Sequence, residues 1–278
     1  MKWSNFYTFL FFAALVFTSC ADDADKKESS STEEGSNSTA TNSNVAEQVA
    51  GQKKPDIAVQ GLKGKVEVMS ESLSPAEGSK KVPSKNVFKY NANGNVVEFA
   101  NYKSDGKINS VVKSTYDSTG KLIKEETLLG NGTVDLVSTI KTDSKGNKIE
   151  QEDIRPNGNV MFNYKYTYNY DEKGQLIERA AYRGNGALLF KYTFKYDDNG
   201  NKTEWMQFAS NGSVNGKVIY KYNEKNNLVE QTEYSPDGKV KATYTYSYEF
   251  DKKGNWIRQK KMQDGKVIEI KERDIKYY

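Results

Sequence analysis

The sequence predicts an all-β protein, an array of antiparallel β-hairpins that forms a curled, twisted sheet like a solenoid or shell. Three observations carry this prediction. Paired turn motifs recur at nearly constant spacing from residue 87 onward. Between the turns, aromatic and polar side chains alternate with the period of two that is typical of strands. The chain has 21 Gly and 19 Tyr, and hydrophobic residues make up 36% of it. Many glycines and aromatic residues with few aliphatic ones favour short strands and tight turns over packed helices.

The chain begins with the pattern of a signal peptide. Lys2 precedes an apolar run over residues 6–17 that Thr8 alone interrupts. Roughly 20 apolar residues are needed to span a bilayer, so the run is too short for a transmembrane helix. We therefore assign residues 1–19 to a signal peptide.

The run ends in Phe17-Thr18-Ser19-Cys20. This string resembles the lipobox of bacterial lipoproteins, although that family usually has Leu where Phe17 stands. The resemblance implies that Cys20 carries a lipid and that the membrane is a partner through this N-terminal lipid. An acidic run at residues 22–25 is similar to the surface-export signal of Bacteroidetes lipoproteins, which implies an outer-membrane anchor and surface exposure; the alternative is that these acids simply begin a charged linker.

The segment after the cysteine is predicted to be a disordered tether. It is rich in Ser, Thr, Asn and Glu and has too few apolar side chains to offset its ordering entropy. As a flexible coil of about 35 residues it would span about 30–35 Å. The predicted organisation is therefore a signal peptide at 1–19, lipidated Cys20 and tether at 20–58, and a β domain at 59–278.

Each repeat unit contains two turns. The first has Asp or Asn at its first position and ends at Gly94, Gly120, Gly146, Gly174, Gly200, Asn226 or Gly254. The second carries Asn-Gly or Asp-Gly, as at Asn157-Gly158. Asp followed by Gly three residues later fits a type I turn closed by a left-handed residue, and Asn is the residue that best replaces Gly there. Seven units predict about 14 strands, and residues 62–66 suggest an N-terminal edge strand.

Strand periodicity places the candidate binding residues on one face. These are the aromatic residues Tyr166, Tyr168, Tyr192, Phe194, Tyr246 and Tyr248. The turn geometry predicts that Tyr170 faces Leu176 across its hairpin. Strict alternation also assigns to this face, near the second turns, Tyr102, Tyr182, Phe208, Tyr234, Ile108, Val134, Val160, Leu188, Val214, Val240 and Val267. Near the first turns, alternation places a charged row on the same face: Glu98, Lys124, Glu150, Glu178, Glu204, Glu230 and Arg258. The Ile/Val residue that precedes each of these is placed on the other face. A local bulge would exchange the two rows.

The spacing of the units points to a duplication. The first-turn residues are 26 or 28 positions apart, and extra residues come in twos, which keeps each side chain on its face. The longer spacing recurs at every third unit, so Gly94, Gly174 and Gly254 are separated by 80 residues. This predicts a duplicated three-unit block.

The strings Tyr116-Asp117, Tyr170-Asp171 and Tyr196-Asp197, each followed three residues later by Gly, resemble the YD, or RHS, repeat. The resemblance covers roughly residues 86–278 and implies a curled β-sheet. The chain is far shorter than the toxin-enclosing members of that family, and we expect neither a toxin domain after its last repeat nor their delivery function. It is more similar to the short YD-repeat lipoproteins of Bacteroidetes.

Composition restricts the chemistry. The chain has no His and one Cys, which excludes imidazole catalysis, His-based metal sites and disulfides. The Glu row recurs in most units, so it reads as a fold position rather than as catalytic carboxylates. The segment 197–201 resembles part of a calcium loop but is one of seven equivalent turns. A net charge of +4 spread over the chain lacks the clustering that nucleic-acid binding needs. We expect no catalytic residues, no cofactor, no metal and no nucleic-acid partner.

The aromatic rows leave the function open between classes. They suit a stacking platform for glycan or protein ligands, or else the packed interior of the curled sheet. The sequence thus predicts a lipid-anchored binding module at the cell surface. The alternatives are a passive structural protein of the envelope and a carboxylate-based glycan-active enzyme. An irregular polar cluster that interrupts the repeat would favour binding.

Overall fold

The computed structural model describes residues 55–76 and 82–278. The predicted signal peptide, Cys20 and the tether up to residue 54 lie outside the described residues. Among the described residues, no helix is long and apolar enough to cross a membrane.

The described chain contains one short helix, α1 (Asp56–Val59), and sixteen strands. The strands are β1 (Val66–Pro75), β2 (Ser84–Tyr90), β3 (Val96–Tyr102), β4 (Ile108–Tyr116), β5 (Leu122–Leu129), β6 (Val134–Thr142), β7 (Lys148–Ile154), β8 (Val160–Tyr170), β9 (Leu176–Arg183), β10 (Leu188–Tyr196), β11 (Lys202–Phe208), β12 (Val214–Tyr222), β13 (Leu228–Tyr234), β14 (Val240–Phe250), β15 (Trp256–Gln263) and β16 (Lys266–Tyr277).

The strands form a closed antiparallel barrel. Each strand pairs with its neighbours in sequence, and β1 pairs with β16 to close the sheet, with Met69 opposite Ile275 and Glu71 opposite Arg273. The predicted antiparallel hairpin array is confirmed. The open, curled form is wrong, because β1, expected as an edge strand, is hydrogen-bonded on both sides. Closure satisfies the backbone groups that an edge would expose.

The first turns have the geometry that their residues dictate. In the fourth unit, the Gly174 N–H donates to the Asp171 carbonyl at 2.9 Å, and the Asp171 N–H donates to the Gln175 carbonyl at 3.0 Å. The Asp171 carboxylate also accepts the Gln175 N–H at 2.8 Å, which explains the preference for Asp or Asn. Gly174 has φ 76°, and Asn226, in the equivalent position, has φ 59°.

A β-bulge after each first turn moves the charged row off the aromatic face, while Ile123 and Ile177 of the Ile/Val row are exposed. Tyr170 lies opposite Leu176 as predicted, but Asn169 lies opposite Glu178, so Ile177 is an extra, unpaired residue. The same shift occurs at all seven first turns. The bulge therefore turns the charged row away from the aromatic face. The expectation from strict alternation is therefore wrong for the charged row. It is also wrong for Tyr102, Tyr182, Phe208, Tyr234 and the aliphatic row paired with them near the second turns, because these residues lie after the bulge and point to the outer face.

The charged row forms a ladder of ion pairs on the outside of the barrel. Lysine amines meet glutamate carboxylates across neighbouring strands in Lys89–Glu98 (2.8 Å), Lys141–Glu150 (2.6 Å), Lys195–Glu204 (2.9 Å) and Lys221–Glu230 (2.8 Å). The outward aromatic residues near the second turns lie under lysines, as where the Lys191 amine is 4.7 Å from the Phe208 ring centroid. The outer wall is therefore charged over much of its height.

The N-terminal segment packs an apolar core into one sector of the barrel. Leu62 joins the buried residues Met69, Tyr90 and Phe99, and Ile57 of α1 packs against them. The Asp56 carboxylate accepts the Val96 N–H at 2.9 Å, which fixes α1 beside the first turn of the first repeat unit, at residues 91–94. The boundary predicted at residue 58 falls inside this helix.

Candidate binding wall inside the barrel

The candidate site is formed by the inward faces of β8–β11. Tyr166 and Phe190 are buried, whereas the intervening Lys165 and Thr167 are exposed, so the aromatic face points inward. We call the following set the lumen wall: Phe162, Tyr164, Tyr166, Tyr168, Phe190, Tyr192, Phe194 and Trp205. Its rings stack along and across strands, with centroids 5.7 Å apart for Phe162–Tyr164, 4.7 Å for Phe190–Tyr192 and 5.4 Å for Tyr192–Trp205. Barrels of about sixteen strands are wide enough to leave a water-filled interior.

Most of the lumen wall remains accessible to water. Tyr164, Tyr168, Tyr192, Phe194 and Trp205 are only half-buried. Half-buried aromatic rings facing the interior of a closed sheet provide flat apolar surface to a ligand.

Arg179 lies at the centre of the lumen wall. Its guanidinium carbon is 5.5 Å from the Tyr166 ring centroid, 5.9 Å from Tyr168 and 5.8 Å from Phe190. Ala181, which is fully buried, lies between Tyr166 and Phe190 in the sheet, and its small side chain leaves space for the rings around Arg179. Burial raises the pKa of the Tyr192 hydroxyl, and the positive charge of Arg179 opposes that rise. The wall therefore combines apolar rings with a fixed cation.

A buried polar network adjoins the wall on β7. The Gln151 amide donates to the Asp153 carboxylate at 2.7 Å, and its carbonyl oxygen accepts the Lys148 amine at 2.9 Å. Lys148 also pairs with the Glu125 carboxylate at 3.1 Å, and the Tyr166 hydroxyl donates to the Gln151 oxygen at 3.3 Å. Gln151 and Asp153 are 1% and 0% exposed, so this network interrupts the apolar interior. It places buried polar groups on the inward face beside the aromatic rings.

Part of this network recurs 80 residues later. The Gln231 amide donates to the Glu233 carboxylate at 2.9 Å, and the Tyr246 hydroxyl donates to the Gln231 oxygen at 2.8 Å. These bonds have the same sequence separations as those of Gln151. The 80-residue period in the sequence thus corresponds to a repeated inward hydrogen-bond pattern.

Lys202 supplies a second inward cation. It lies opposite Tyr196, and its amine is 5.1 Å from the Phe194 ring centroid. Burial lowers the pKa of Lys202 to about 8. The equivalent position is apolar in most units, as in Val96, Leu122, Leu176 and Leu228, and it is a lysine in Lys148 and Lys202.

Several inward tyrosines hold the fold together. The hydroxyls of Tyr116, Tyr168, Tyr196 and Tyr222 each donate to a backbone carbonyl 20 residues earlier, at 2.7–2.9 Å. Each bond ties one unit to the unit before it. Burial raises the pKa of Tyr196 and of Tyr222 to about 12. Tyr168, one of the candidate residues, therefore has a structural bond as well as a place in the wall.

The six candidate aromatic residues lie on the inward face but in two places. Tyr166, Tyr168 and Tyr192 converge around Arg179, with Phe194 beside Lys202. Tyr246 and Tyr248 lie on β14, where the Gln259 amide donates to the Tyr248 hydroxyl at 3.0 Å. Candidate residue Cys20 lies outside the described residues, and the turn residues Gly94, Gly120, Gly146, Gly174, Gly200, Asn226 and Gly254 all have positive φ.

Arg179, Lys202, Gln151 and Asp153 were not identified from the sequence. For Arg179 a signal was available, because the equivalent position is Gln in three other units, Gln151, Gln231 and Gln259. Lys202 shares its otherwise apolar row with Lys148. Recognising the signal of Arg179 required the bulge positions, which decide whether a row points inward. In the described part of the chain, no group of three or more acidic, His or Cys side chains is arranged to hold a metal ion.

Comparisons with known proteins concern the fold. Residues 80–127 match the model of a family described as a protein of unknown function, DUF2963. A porin-like protein from Bacteroides uniformis ATCC 8492 aligns with TM-score 0.52 and 12% identity over 76% of this chain and 98% of that chain. A porin-like protein from Bacteroides vulgatus ATCC 8482 aligns with TM-score 0.45 and 14% identity over 78% and 99% of the two chains. TcdB2-TccC3 without its hypervariable C-terminal region aligns with TM-score 0.31 and 16% identity over 75% of this chain and 12% of that chain. No curated protein matches the sequence.

Proposed function

We propose that this protein is a lipid-anchored YD-repeat-like protein of the bacterial cell envelope whose barrel binds a ligand at the lumen wall. The observation that carries the proposal is the interruption of the repeat on the inward face. A repeat that only fills its own interior has no need of Arg179 among aromatic rings, at a position where Gln151, Gln231 and Gln259 stand in other units. Irregular polar groups beside half-buried rings are typical of a binding site.

The location rests on the lipid and on the outer wall. The sequence around Cys20 would supply an attachment to the outer membrane through its lipid. Outward pairs such as Lys141–Glu150 and Lys221–Glu230 are unsuited to lipid tails, where a lysine costs about 2–4 kcal/mol at the bilayer centre. The barrel therefore stands in water beside the membrane. The porin-like protein of the same fold supports an envelope location.

We propose no catalytic role. The inward carboxylates of Glu125 and Glu71 pair with Lys148 at 3.1 Å and Arg273 at 3.0 Å, which suits structural roles. Asp153 is fully buried beneath the surface that a substrate would reach.

Binding at the lumen wall is tested by a glycan array and a pull-down screen with the full chain, followed by titration of each hit. Trp205, 5.4 Å from Tyr192, reports on the site by fluorescence, and Trp256→Phe removes a second inward indole. Tyr192→Ala should weaken a genuine ligand by about tenfold or more. Outward Tyr234→Ala is the matched control and should leave affinity unchanged. Equal effects of the two variants would contradict the proposal.

A further inference from the structure

We propose that the lumen wall binds a carboxylated saccharide, whose carboxylates pair with Arg179 or Lys202 while its sugar rings stack on Tyr192 and Phe194. This inference rests on the proposed function and names the ligand class of the same site. It follows from the sign of the charges inside the barrel, from a comparison of two equivalent lysines, and from the shape of the surfaces between them.

The inward surface of β8–β12 is positively charged. Arg179 and Lys202 point inward, and Arg183 lies opposite inward Tyr164 at the second-turn end of β9. The acidic side chains of the same strands point outward, where Glu178 pairs with Lys191 at 3.3 Å and Glu204 with Lys195 at 2.9 Å. Within β8–β12, the inward positions hold no carboxylate. A surface with one sign of charge attracts ligands of the opposite sign.

The strongest evidence comes from two lysines in equivalent positions. Lys148 and Lys202 both lie two residues after their first-turn residue. The amine of Lys148 is 3.1 Å from the carboxylate of Glu125, which precedes it by 23 residues. The residue 23 positions before Lys202 is Arg179. Where one unit supplies an internal carboxylate, the other supplies a second cation.

A ligand carboxylate would take the place of the missing partner. Burial lowers the pKa of Lys202 to about 8, and no neighbouring carboxylate offsets this effect. The charged amine is therefore destabilised in the barrel, and a bound anion would stabilise it. The repeat itself does not need these cations. Leu176 and Leu228 occupy the position of Lys202 in neighbouring units, and Gln151 and Gln231 occupy that of Arg179.

The surfaces next to the two cations suit a sugar. Tyr192 stacks with Phe190 at 4.7 Å, and both Tyr192 and Phe194 are half-buried, so their rings are partly open to the interior. Aromatic rings pack against the apolar faces of sugar rings, and the guanidinium of Arg179 provides paired donors for a carboxylate. Gln207, opposite Tyr192, places an amide beside the same surface for a sugar hydroxyl. Rings, amide and cations together favour an acidic saccharide over a small inorganic anion.

The repeat provides variants that should fold. Arg179→Gln and Lys202→Leu each introduce the residue that other units carry at the same position. Lys195→Gln removes a positive charge from the outer wall and is the matched control. The probes are oligogalacturonate, a hyaluronan oligosaccharide and sialyllactose, each compared by calorimetry with its neutral methyl ester on the full chain; polyglutamate tests an acidic peptide instead.

At least one carboxylated saccharide should bind, and its methyl ester should bind about tenfold more weakly or worse. Arg179→Gln and Lys202→Leu should each weaken that saccharide by about tenfold or more, and Lys195→Gln by less than about twofold. Two results would overturn the inference and leave the proposed function standing. The first is that neutral glycans bind more tightly than carboxylated ones and quench the fluorescence of Trp205. The second is that polyglutamate alone binds. If neither the screen nor these probes gave a ligand sensitive to Tyr192→Ala, both would fail.

Discussion

The hydroxyl of Tyr196 donates a hydrogen bond of 2.8 Å to the backbone carbonyl of Leu176, which lies in the preceding hairpin unit. Tyr116 makes the same bond to Val96 and Tyr222 to Lys202. In Tyr116-Asp117 and Tyr196-Asp197, as in Tyr222-Asn223, the tyrosine thus fastens one unit to the one before it. This gives the motif a physical role, since the aspartate closes the turn and the tyrosine orders the stacking of units.

Replacing Tyr196 by Phe should therefore destabilise the barrel. The change removes one partly buried hydrogen bond and leaves the Leu176 carbonyl without that donor, at a cost of about 1–2 kcal/mol. Urea unfolding of the full chain measures the loss. Tyr182→Phe, on the outer face, is the control and should cost less than about 0.5 kcal/mol. If both variants unfolded at the same urea concentration, the bond would have no role in stability.

Alkaline pH should weaken the same contacts. Burial raises the pKa of Tyr196 and Tyr222 to about 12, above the ordinary value of about 10. The unfolded chain loses these protons first, so stability is complete below pH 10 and falls as pH rises from 10 towards 12. Unfolding measured in steps across this range should show the decline. A Tyr196→Phe, Tyr222→Phe double variant should start from a lower stability and decline less steeply; an equal slope would assign the decline to other groups.

The hairpin array was predictable because its signals are local. Asp or Asn at the start of a turn and Gly at its end specify a bulged hairpin within a few residues, and alternation in segments such as 164–170 specifies one apolar face. The count of turns gave nearly the right number of strands. These inferences depend on backbone preferences that hold wherever the segment lies.

Closure and the lining of the interior were not predictable in the same way. The pairing of β1 with β16 joins residues about 200 positions apart, as in Arg273–Glu71, and no local pattern specifies it. The bulge at Ile177 and its equivalents decides which rows face inward, and alternation alone placed Glu178 on the wrong face. Arg179 was therefore assigned no place in the candidate site, although it follows Glu178 directly.

Gly120 tests the turn geometry without interference from packing. Its φ is +82°, and a Cβ added there would meet nothing within 4 Å. The cost of a side chain is therefore backbone strain, about 1–2 kcal/mol or more for a β-branched residue. Gly120→Val should lower the free energy of unfolding by this amount, and Gly120→Asn by clearly less, because Asn226 adopts φ 59° naturally. Equal tolerance of Val and Asn in urea unfolding would contradict the left-handed assignment.

Cys20 tests the anchor. If the lipobox-like string directs lipidation, Cys20→Ala should abolish labelling by a palmitate analogue and release the chain from the membrane fraction. Ser19→Ala keeps a small residue before the cysteine and should leave both properties unchanged. Labelling of the Cys20→Ala variant would show that the lipid is attached elsewhere or not through this motif.

Lys202→Leu should separate stability from binding. A buried lysine with a pKa near 8, against about 10.4 when exposed, binds its proton less well in the folded chain than in the unfolded one. The folded state is therefore destabilised at pH 7, and part of that cost disappears as pH rises from 8 towards 10. Leucine, which neighbouring units carry at this position, has no such cost.

We therefore expect Lys202→Leu to raise the free energy of unfolding by about 1–3 kcal/mol at pH 7, with a smaller gain at pH 9.5. Urea unfolding of the two chains at both pH values measures the difference, and Lys195→Gln on the outer wall should show little gain at either. The same substitution should weaken the carboxylated ligand. A residue that lowers stability and raises affinity is retained for binding, because packing alone would favour its replacement. If Lys202→Leu destabilised the chain at pH 7, the amine would have a structural partner in the barrel and the argument for a ligand carboxylate would lose its basis.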